Sequence, residues 1–157
     1  MKKEIYVILP DIRSSYNVGS IFRTSDAAGV SKIFLTGYTP CPQDKFKRIN
    51  KDIAKTALGA EKTIPWEYQE EIKPLLEHLK KDGFLIIAIE QAPNSVDYKK
   101  VKAIEKMAFI FGSEVGGLSQ EILKECDIVA EIPMLGKKES LNVSVSAGVA
   151  LFLVLNI

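Results

Sequence analysis

The amino-acid sequence predicts an α/β fold with a mainly parallel sheet and helices on both faces. Short apolar runs alternate along the chain with stretches of helical periodicity, and most of the runs lack the period-2 alternation of a half-exposed strand. Strands covered on both faces are near-continuously apolar, and helices between them are the crossovers that parallel strands require. The predicted strands are residues 5–9, 32–35, 84–89, 107–111 and 128–132.

Helix start and stop signals stand between the first strands. Asn17 is placed as the N-cap of a helix that runs to about Ala28, and Gly29 is its C-terminal stop. A second helix is predicted over residues 49–58, with a short strand near residues 63–64.

A helix over residues 70–81 has one apolar face, which predicts that it packs on the sheet. His78, the sole histidine, lies off this face and is predicted to be solvent-exposed. Chemistry that needs a Ser-His or Cys-His pair is therefore disfavoured, which counts against proteases and typical hydrolases. The apolar positions recur at i, i+3, i+4 and i+7: Ile72, Leu75, Leu76 and Leu79.

The last predicted helix, residues 141–156, is apolar around most of its circumference. It is too short and too serine-rich at its start for a membrane span, so we expect it to be buried on two sides. The sheet covers one side, and a second subunit of a homodimer is our prediction for the other. The alternative is a helix buried within one chain.

Length and composition indicate one domain over residues 1–157. The 157 residues are 46% hydrophobic and 26% charged, which is typical of a globular protein. The formal net charge is +1, so a nucleic-acid surface has to come from local clusters of basic residues. Cys41 and Cys126 fit no metal motif and predict reduced thiols, and the first residues lack a signal peptide, so we expect a cytoplasmic protein without a metal site.

Three segments beside predicted strands concentrate unusual polar residues and form the candidate site. They are residues 17–23, 111–118 and 132–143. Ligands of open α/β sheets bind where loops leave the carboxyl ends of the strands. The segments lack the glycine patterns of dinucleotide-binding and P-loop proteins, which leaves those chemistries unsupported.

In the first segment Gly19 lies one helical turn before Arg23, so we expect the guanidinium to pass over a bare position with space for a ligand. Asn17 and Arg23 at a helix start could together form a phosphate site. The capping role alone is the favoured explanation of Asn17, and a surface ion pair explains Arg23 equally well.

The other two segments contain a carboxylate among glycines and a polar helix start. Gly112, Gly116 and Gly117 surround Glu114, which either serves the site or caps a helix starting near Ser119. Ser140 is predicted as the N-cap of the last helix, with Asn142 an unexpected polar residue in its first turn.

Together the patterns N-x-G-x-x-x-R, F-G-S-E-x-x-G-L and I-P-M-x-G-x-x-x-S-L-N-V-S, with T-A-L-G-A-E at residues 56–61, resemble the SpoU/TrmH family of SPOUT RNA ribose methyltransferases. The resemblance implies a deep trefoil knot and cofactor site within about residues 84–157, a homodimer and S-adenosylmethionine as cofactor. Val115 replaces a glycine found in many members. By resemblance the cofactor-binding positions are Ile89, Glu90, Gly112, Ile132 and Leu141, and the catalytic positions are Asn17, Arg23, Glu114, Ser140 and Asn142.

The implied reaction is methyl transfer to a ribose 2′-hydroxyl of tRNA or rRNA. Because a guanidinium rarely releases its proton, we expect Arg23 to bind the phosphate beside the target ribose and lower the pKa of the hydroxyl, with phosphate or solvent accepting the proton. Two other hypotheses stay open. One is a catalytically silent RNA-binding or assembly protein, and the other is a flavodoxin-like or nucleotide-binding module.

Two lysine-rich segments are candidates for RNA backbone contacts. Residues 45–62 contain six basic and two acidic residues, and residues 99–106 contain four and one. Phe46 and Tyr98 lie in or beside these segments; either can stack a base, but ordinary partial burial is our prediction for both.

Overall fold

In a computed structural model that describes residues 2–157, the chain forms one seven-stranded sheet. In chain order the strands are Glu4–Pro10 (β1), Lys32–Thr36 (β2), Trp66–Gln69 (β3), Leu85–Ile89 (β4), Val96–Asp97 (β5), Lys106–Phe111 (β6) and Ile128–Glu131 (β7). Their order across the sheet is β3-β2-β1-β6-β4-β7-β5, and all neighbouring pairs are parallel. The predicted parallel α/β sheet is confirmed.

Helices cover both faces of the sheet, as the apolar strands require. They are Ser15–Ala27 (α1), Lys51–Ala57 (α2), Ala60–Thr63 (α3), Ile72–Lys81 (α4), Gln120–Glu125 (α5) and Val143–Leu155 (α6), with a 3-10 turn at Tyr98–Lys100. One core cluster joins the sheet to α1, α2 and α6, and a second joins the opposite face to α4. Within residues 2–157 none of the helices has the length and apolar character to cross a bilayer.

Two strand predictions at the ends of the sheet need correction. The strand expected near residues 63–64 begins later, at Trp66, because residues 60–63 form the short helix α3 and Pro65 separates the two elements. The two-residue strand β5 was missed, since Val96 and Asp97 are too few to form a pattern. Both errors concern edge strands, where little apolar burial marks the sequence.

The predicted N-caps of the first and last helices are wrong by a few residues. Ser14 caps α1, and its hydroxyl accepts a hydrogen bond from the backbone N–H of Asn17. Asn142, and not Ser140, caps α6 by accepting from the N–H of Ser144. At the other end of α1, Gly29 stands with φ +75° just after the C-cap, as predicted.

The amphipathic helix α4 is as expected. Leu75, Leu76 and Leu79 are buried against the sheet, and His78 is exposed.

Cys41 and Cys126 are free thiols. Burial raises the pKa of the Cys126 thiol to about 12.

Gly19 has a different role from the one predicted. It is buried in α1, and a Cβ atom there would overlap the Thr56 hydroxyl and the Ile53 carbonyl oxygen of α2. The missing side chain therefore allows α1 and α2 to approach closely, and the space over Gly19 is filled by protein and not by a ligand.

This packing predicts the effect of Gly19→Ala. The added methyl group forces α1 and α2 apart, and overpacking of this kind lowers the free energy of unfolding by about 1–3 kcal/mol. Urea denaturation followed by far-UV circular dichroism measures it.

Gly148→Ala in α6 is the matched control, because its Cβ atom meets the Thr24 side chain at 3.5 Å, an ordinary contact. Alanine in a helix interior is favoured over glycine by about 0.5–1 kcal/mol, so this variant is expected to be unchanged or more stable. Equal effects of the two substitutions would contradict the packing role of Gly19.

Candidate functional site

The loops that follow four adjacent strands meet at one edge of the sheet. β1, β6, β4 and β7 are neighbours and parallel, so their carboxyl ends lie side by side. A pocket of about 380 Å³ opens there, and its lining comes from residues 89–91, 111–123 and 132–146. This is the position at which open α/β sheets bind ligands.

The five residues predicted to bind a cofactor all line this pocket. They come from three loops of the chain: Ile89 and Glu90, Gly112, and Ile132 and Leu141. The sequence alone placed these residues near strand ends, and the strand order brings the ends together.

Three of the predicted catalytic residues form a hydrogen-bonded cluster. The Glu114 Oε1 atom accepts from Asn17 Nδ2 at 2.8 Å and from Asn142 Nδ2 at 3.1 Å. Asn142 Nδ2 also lies 3.3 Å from Asn17 Oδ1. The cluster joins α1, the loop after β6 and the start of α6. Because Glu114 also lines the pocket, the cluster stands at its mouth.

The other two predicted catalytic residues lie in different places. Ser140 lines the pocket. Arg23 does not; it is exposed two turns along α1, in a shallow groove with Lys55, Thr56 and Phe152. The predicted joint phosphate site of Asn17 and Arg23 is therefore not formed within one chain, since the two side chains leave the helix in directions about 120° apart.

The Glu90 carboxylate holds the glycine-rich loop in place. Its Oε2 atom accepts from the buried N–H of Leu118 at 3.0 Å, and its Oε1 atom accepts from the N–H of Gln91 at 2.9 Å. Gly117, with φ +59°, passes so close to this carboxylate that a Cβ atom would overlap it. Glu90 thus has a structural role besides facing the pocket.

Sequence reasoning missed Gln91. Its Nε2 atom donates to the backbone oxygen of Glu139 at 2.7 Å, so residues 90 and 91 together hold both other loops of the pocket. The only signal in the sequence was a pair of polar residues directly after an apolar strand.

The glycine-rich loop is a tight turn whose glycines serve its own packing. A Cβ atom on Gly112 would overlap the backbone of Gly117 and the side chain of Leu118. The alternative role of Glu114 as a helix cap is wrong, because Ser119 caps α5 by accepting from the N–H of Ile122.

The pocket combines apolar walls with negative charge. Glu90, Glu114 and Glu139 line it, and among residues 2–157 no lysine or arginine does so. Ile89, Phe111, Leu118, Ile132 and Leu141 supply much of the apolar surface. Such a site suits a ligand that combines an apolar part with a positive charge, and it opposes phosphate groups.

The two aromatic residues of the lysine-rich segments differ in exposure. Tyr98 is half-buried against the core that includes α1 and α6, as predicted. Phe46 is 67% exposed, so the prediction of partial burial is wrong for this residue. It stands at the tip of a turn, where the core offers it no surface.

The fold and the site define an α/β protein with a ligand pocket formed by three loops at the carboxyl edge of a parallel sheet. The chain belongs to the SpoU rRNA Methylase family, whose family model matches residues 4–152. The resemblance seen in the sequence is confirmed.

Similar proteins extend beyond this chain. A putative TrmH family tRNA/rRNA methyltransferase of Staphylococcus saprophyticus is 33% identical over 96% of this chain and 58% of its own length. The AdoMet-bound rRNA methyltransferase of Sinorhizobium meliloti superposes with a TM-score of 0.88 at 30% identity, covering 98% of this chain and 56% of that one. A TrmH/SpoU tRNA modifying enzyme of A. aeolicus gives a TM-score of 0.85 at 28% identity, over 99% and 75%. The chain spans a little over half the length of the curated relatives it matches.

The contacts of Glu90 predict how its substitution changes the loop. Glu90→Ala leaves the N–H of Leu118, a residue only 7% exposed, without its acceptor, and a buried unsatisfied donor costs about 1–3 kcal/mol. We expect lower stability in urea and faster amide hydrogen exchange at Gly117 and Leu118.

Glu90→Gln is the conservative control, because its amide oxygen still accepts one of the two hydrogen bonds. Its exchange rates should fall between those of the wild type and Glu90→Ala. Unchanged exchange at Leu118 in Glu90→Ala would remove the structural role of this carboxylate.

Proposed function

We propose that this protein is an S-adenosylmethionine-dependent RNA methyltransferase that acts on a ribose 2′-hydroxyl of tRNA or rRNA. The observation that carries the proposal is the cluster of Asn17, Glu114 and Asn142 at the mouth of the acidic pocket. Family membership supports the reaction class, and the names of the relatives support tRNA or rRNA as the substrate.

The residues of the pocket fit the proposed cofactor. When bound, S-adenosylmethionine supplies a methyl group on a positively charged sulfonium. Glu90, Glu114 and Glu139 favour that positive charge, and the apolar walls suit an adenine ring. All lining residues fall within residues 84–157, the region to which the proposal also assigns the trefoil knot.

The proposed chemistry divides the work among the side chains. A ribose hydroxyl is a poor nucleophile at neutral pH, so it has to be oriented and polarised. Asn17, Glu114 and Asn142, with Ser140 beside them, position the ribose next to the pocket. Arg23 binds the adjacent RNA phosphate with two parallel hydrogen bonds and lowers the pKa of the hydroxyl, and phosphate or solvent accepts the proton.

This role of Arg23 requires a second copy of the chain, because Arg23 does not line the pocket of its own chain. A homodimer is part of the proposal. Val145, Val149 and Leu153 form an exposed apolar stripe at four-residue spacing on α6, beside the Phe152 that shares a groove with Arg23. We propose that a two-fold interface through this stripe brings Arg23 of one protomer to the site of its partner.

The alternatives differ in chemistry. A flavodoxin-like or nucleotide-binding module needs donors for phosphate, and the acidic pocket argues against it. A silent RNA-binding protein keeps the fold but needs none of the polar cluster. The proposal includes a cytoplasmic location, where these RNAs are modified.

Transfer of tritium from labelled S-adenosylmethionine to total tRNA and rRNA tests the reaction. We expect label in a 2′-O-methyl nucleoside after nuclease digestion. Arg23→Lys should lower transfer by about tenfold or more, because a charge-assisted hydrogen bond contributes about 1.5–3 kcal/mol.

The other outcomes are informative. Full activity of Arg23→Lys would contradict the binding of phosphate by two parallel hydrogen bonds. Label in a base would show that the protein methylates bases and not the ribose. Calorimetric cofactor binding without label in either RNA pool would favour the silent RNA-binding protein.

Mixed dimers test the role of the second copy. Asn142→Asp keeps an oxygen to cap α6 but replaces the donor to Glu114 with a repelling carboxylate, so it should fold normally and be inactive. Mixed with inactive Arg23→Ala after subunit exchange, it should restore about one quarter of wild-type activity, since half the dimers then contain one intact site. Absence of recovery, with heterodimers verified by mass spectrometry, would show that Arg23 acts within its own chain.

A further inference from the structure

A short hairpin between β2 and α2 is held rigid by one carboxylate. Gln43 and Ile49 form an antiparallel bridge, and Asp44 Oδ1 accepts from the N–H groups of Phe46 at 2.8 Å and Arg48 at 2.9 Å. Asp44 Oδ2 accepts from Arg48 Nε at 2.7 Å. The hydrogen bond from the Arg48 backbone is the main reason that the pKa of Asp44 lies below its usual value. We call residues 43–49 the Asp44 hairpin.

The tip of the Asp44 hairpin exposes an aromatic ring among positive charges. The Phe46 ring is largely exposed, and Lys45 Nζ and Arg48 Cζ each lie 5.2 Å from its centroid. Lys47 completes the tip with φ +62°, a strained conformation for a lysine. A rigid turn that holds an apolar ring in water contributes little to a core, which indicates a surface built for contact.

A cleft separates the Asp44 hairpin from the edge strand β3. Its volume is about 710 Å³, within the range of about 300–1,000 Å³ typical of ligand pockets. Its lining includes the side chains of Cys41, Ile49, Trp66 and Tyr68. Tyr68 is 45% exposed, and its hydroxyl donates to the Gly37 carbonyl oxygen at 2.8 Å, which fixes the ring.

The rim of the cleft is basic, although the whole chain has a net charge of only +1. Residues 43–55 hold five basic side chains against Asp44 and Asp52, and Lys45 and Arg48 line the cleft itself. Aromatic walls with a rim of cations match single-stranded RNA, whose bases offer flat faces and whose phosphates carry the negative charge.

The cleft is rigidly connected to the polar cluster of the pocket. Asn50, which caps α2 directly after the hairpin, donates from Nδ2 to Ser15 Oγ at 3.0 Å. Ser15 is the first residue of α1, and Asn17 two residues later donates to Glu114. A base held in the cleft is therefore in a fixed position relative to the candidate active site.

We propose that the cleft between the Asp44 hairpin and β3 binds an unpaired nucleobase of the RNA substrate. The base stacks on the aromatic wall of Trp66 and Tyr68 inside the cleft, and a neighbouring base stacks on the exposed Phe46 at the tip of the hairpin. Lys45, Lys47 and Arg48 bind the flanking phosphates. This inference rests on the proposed function and adds a substrate class to it: RNA that is single-stranded beside the methylated nucleotide.

Trp66 is the only tryptophan of the chain and reports directly on the cleft. We expect a single-stranded octaribonucleotide of mixed sequence to quench its fluorescence, while its blunt duplex and inorganic polyphosphate do not. Phe46→Ala should weaken octamer binding by about tenfold, the effect of losing one stacked base. Phe46→Leu keeps an apolar side chain of similar size but has no aromatic face, so it should bind the octamer more weakly as well.

Lys81→Ala, at the exposed end of α4 on the opposite face of the sheet, is the matched charge control for Lys47→Ala. Only Lys47→Ala should reduce the salt dependence of octamer binding, lowering the slope of log binding constant against log salt concentration by about 1. In the methyl-transfer assay Phe46→Ala should raise the KM for RNA by about tenfold while kcat and calorimetric cofactor affinity stay unchanged.

The outcomes separate this inference from the proposed function. If the wild type binds cofactor and methylates RNA, but Trp66 emission and the KM of Phe46→Ala do not change, the cleft assignment is wrong and the function stands. If neither RNA binding nor methyl transfer is found, both fail. Trp66 emission that changes on dilution without RNA would identify the cleft as a contact between copies of the chain and overturn the assignment.

Discussion

The Glu114 carboxylate is the point at which distant parts of the chain meet. Its Oε1 atom accepts from Asn17 and Asn142, so one oxygen joins the first helix, the loop after the central strand and the start of the last helix. All three side chains are at least partly exposed, so the hydrogen bonds contribute modestly to stability. Their effect is on geometry, since they fix the mouth of the pocket relative to α1 and everything that α1 positions.

Separation of charge is the second constraint on the molecule. The pocket is lined by glutamates and by no basic side chain of residues 2–157, whereas Lys45 and Arg48 line the separate cleft of the Asp44 hairpin. In a chain of net charge +1 this arrangement separates the surface proposed for a cationic cofactor from the surface proposed for an RNA backbone. A surface that mixed the two kinds of charge would serve neither ligand well, because carboxylates that favour a sulfonium repel phosphates.

Much of the fold could be predicted from the sequence because it depends on local patterns. Continuous apolar runs identified five strands, and the face of α4 followed from its period. The helix caps were harder to predict, because two good capping residues lie within three positions of each other at each helix start. These are Ser14 and Asn17 for α1, and Ser140 and Asn142 for α6, and only the backbone conformation shows which one is the cap. The sheet order brought the five pocket residues together, which no local pattern states.

The errors at the site have one physical origin, contacts between elements distant in sequence. A ligand was expected in the space over Gly19, beside Arg23 on the same helix, but that space is filled by α2. Phe46 was expected to be partly buried because most aromatic residues are, and only the rigid turn around Asp44 explains its exposure. The cofactor assignment of Glu90 stays a prediction; its structural hydrogen bond from Leu118 was missed because it joins two loops that are distant in sequence.

The position of Arg23 makes the proposed activity depend on assembly. A guanidinium in an open groove stays charged and hydrated, and its attraction for a phosphate is screened by water and salt. The same group at an interface lies in a poorer solvent, where hydrogen bonds to phosphate are stronger. The apolar stripe of α6 beside Arg23 would exclude that water when a second copy covers it. In this arrangement the contact that buries α6 and the contact that completes the site are one and the same.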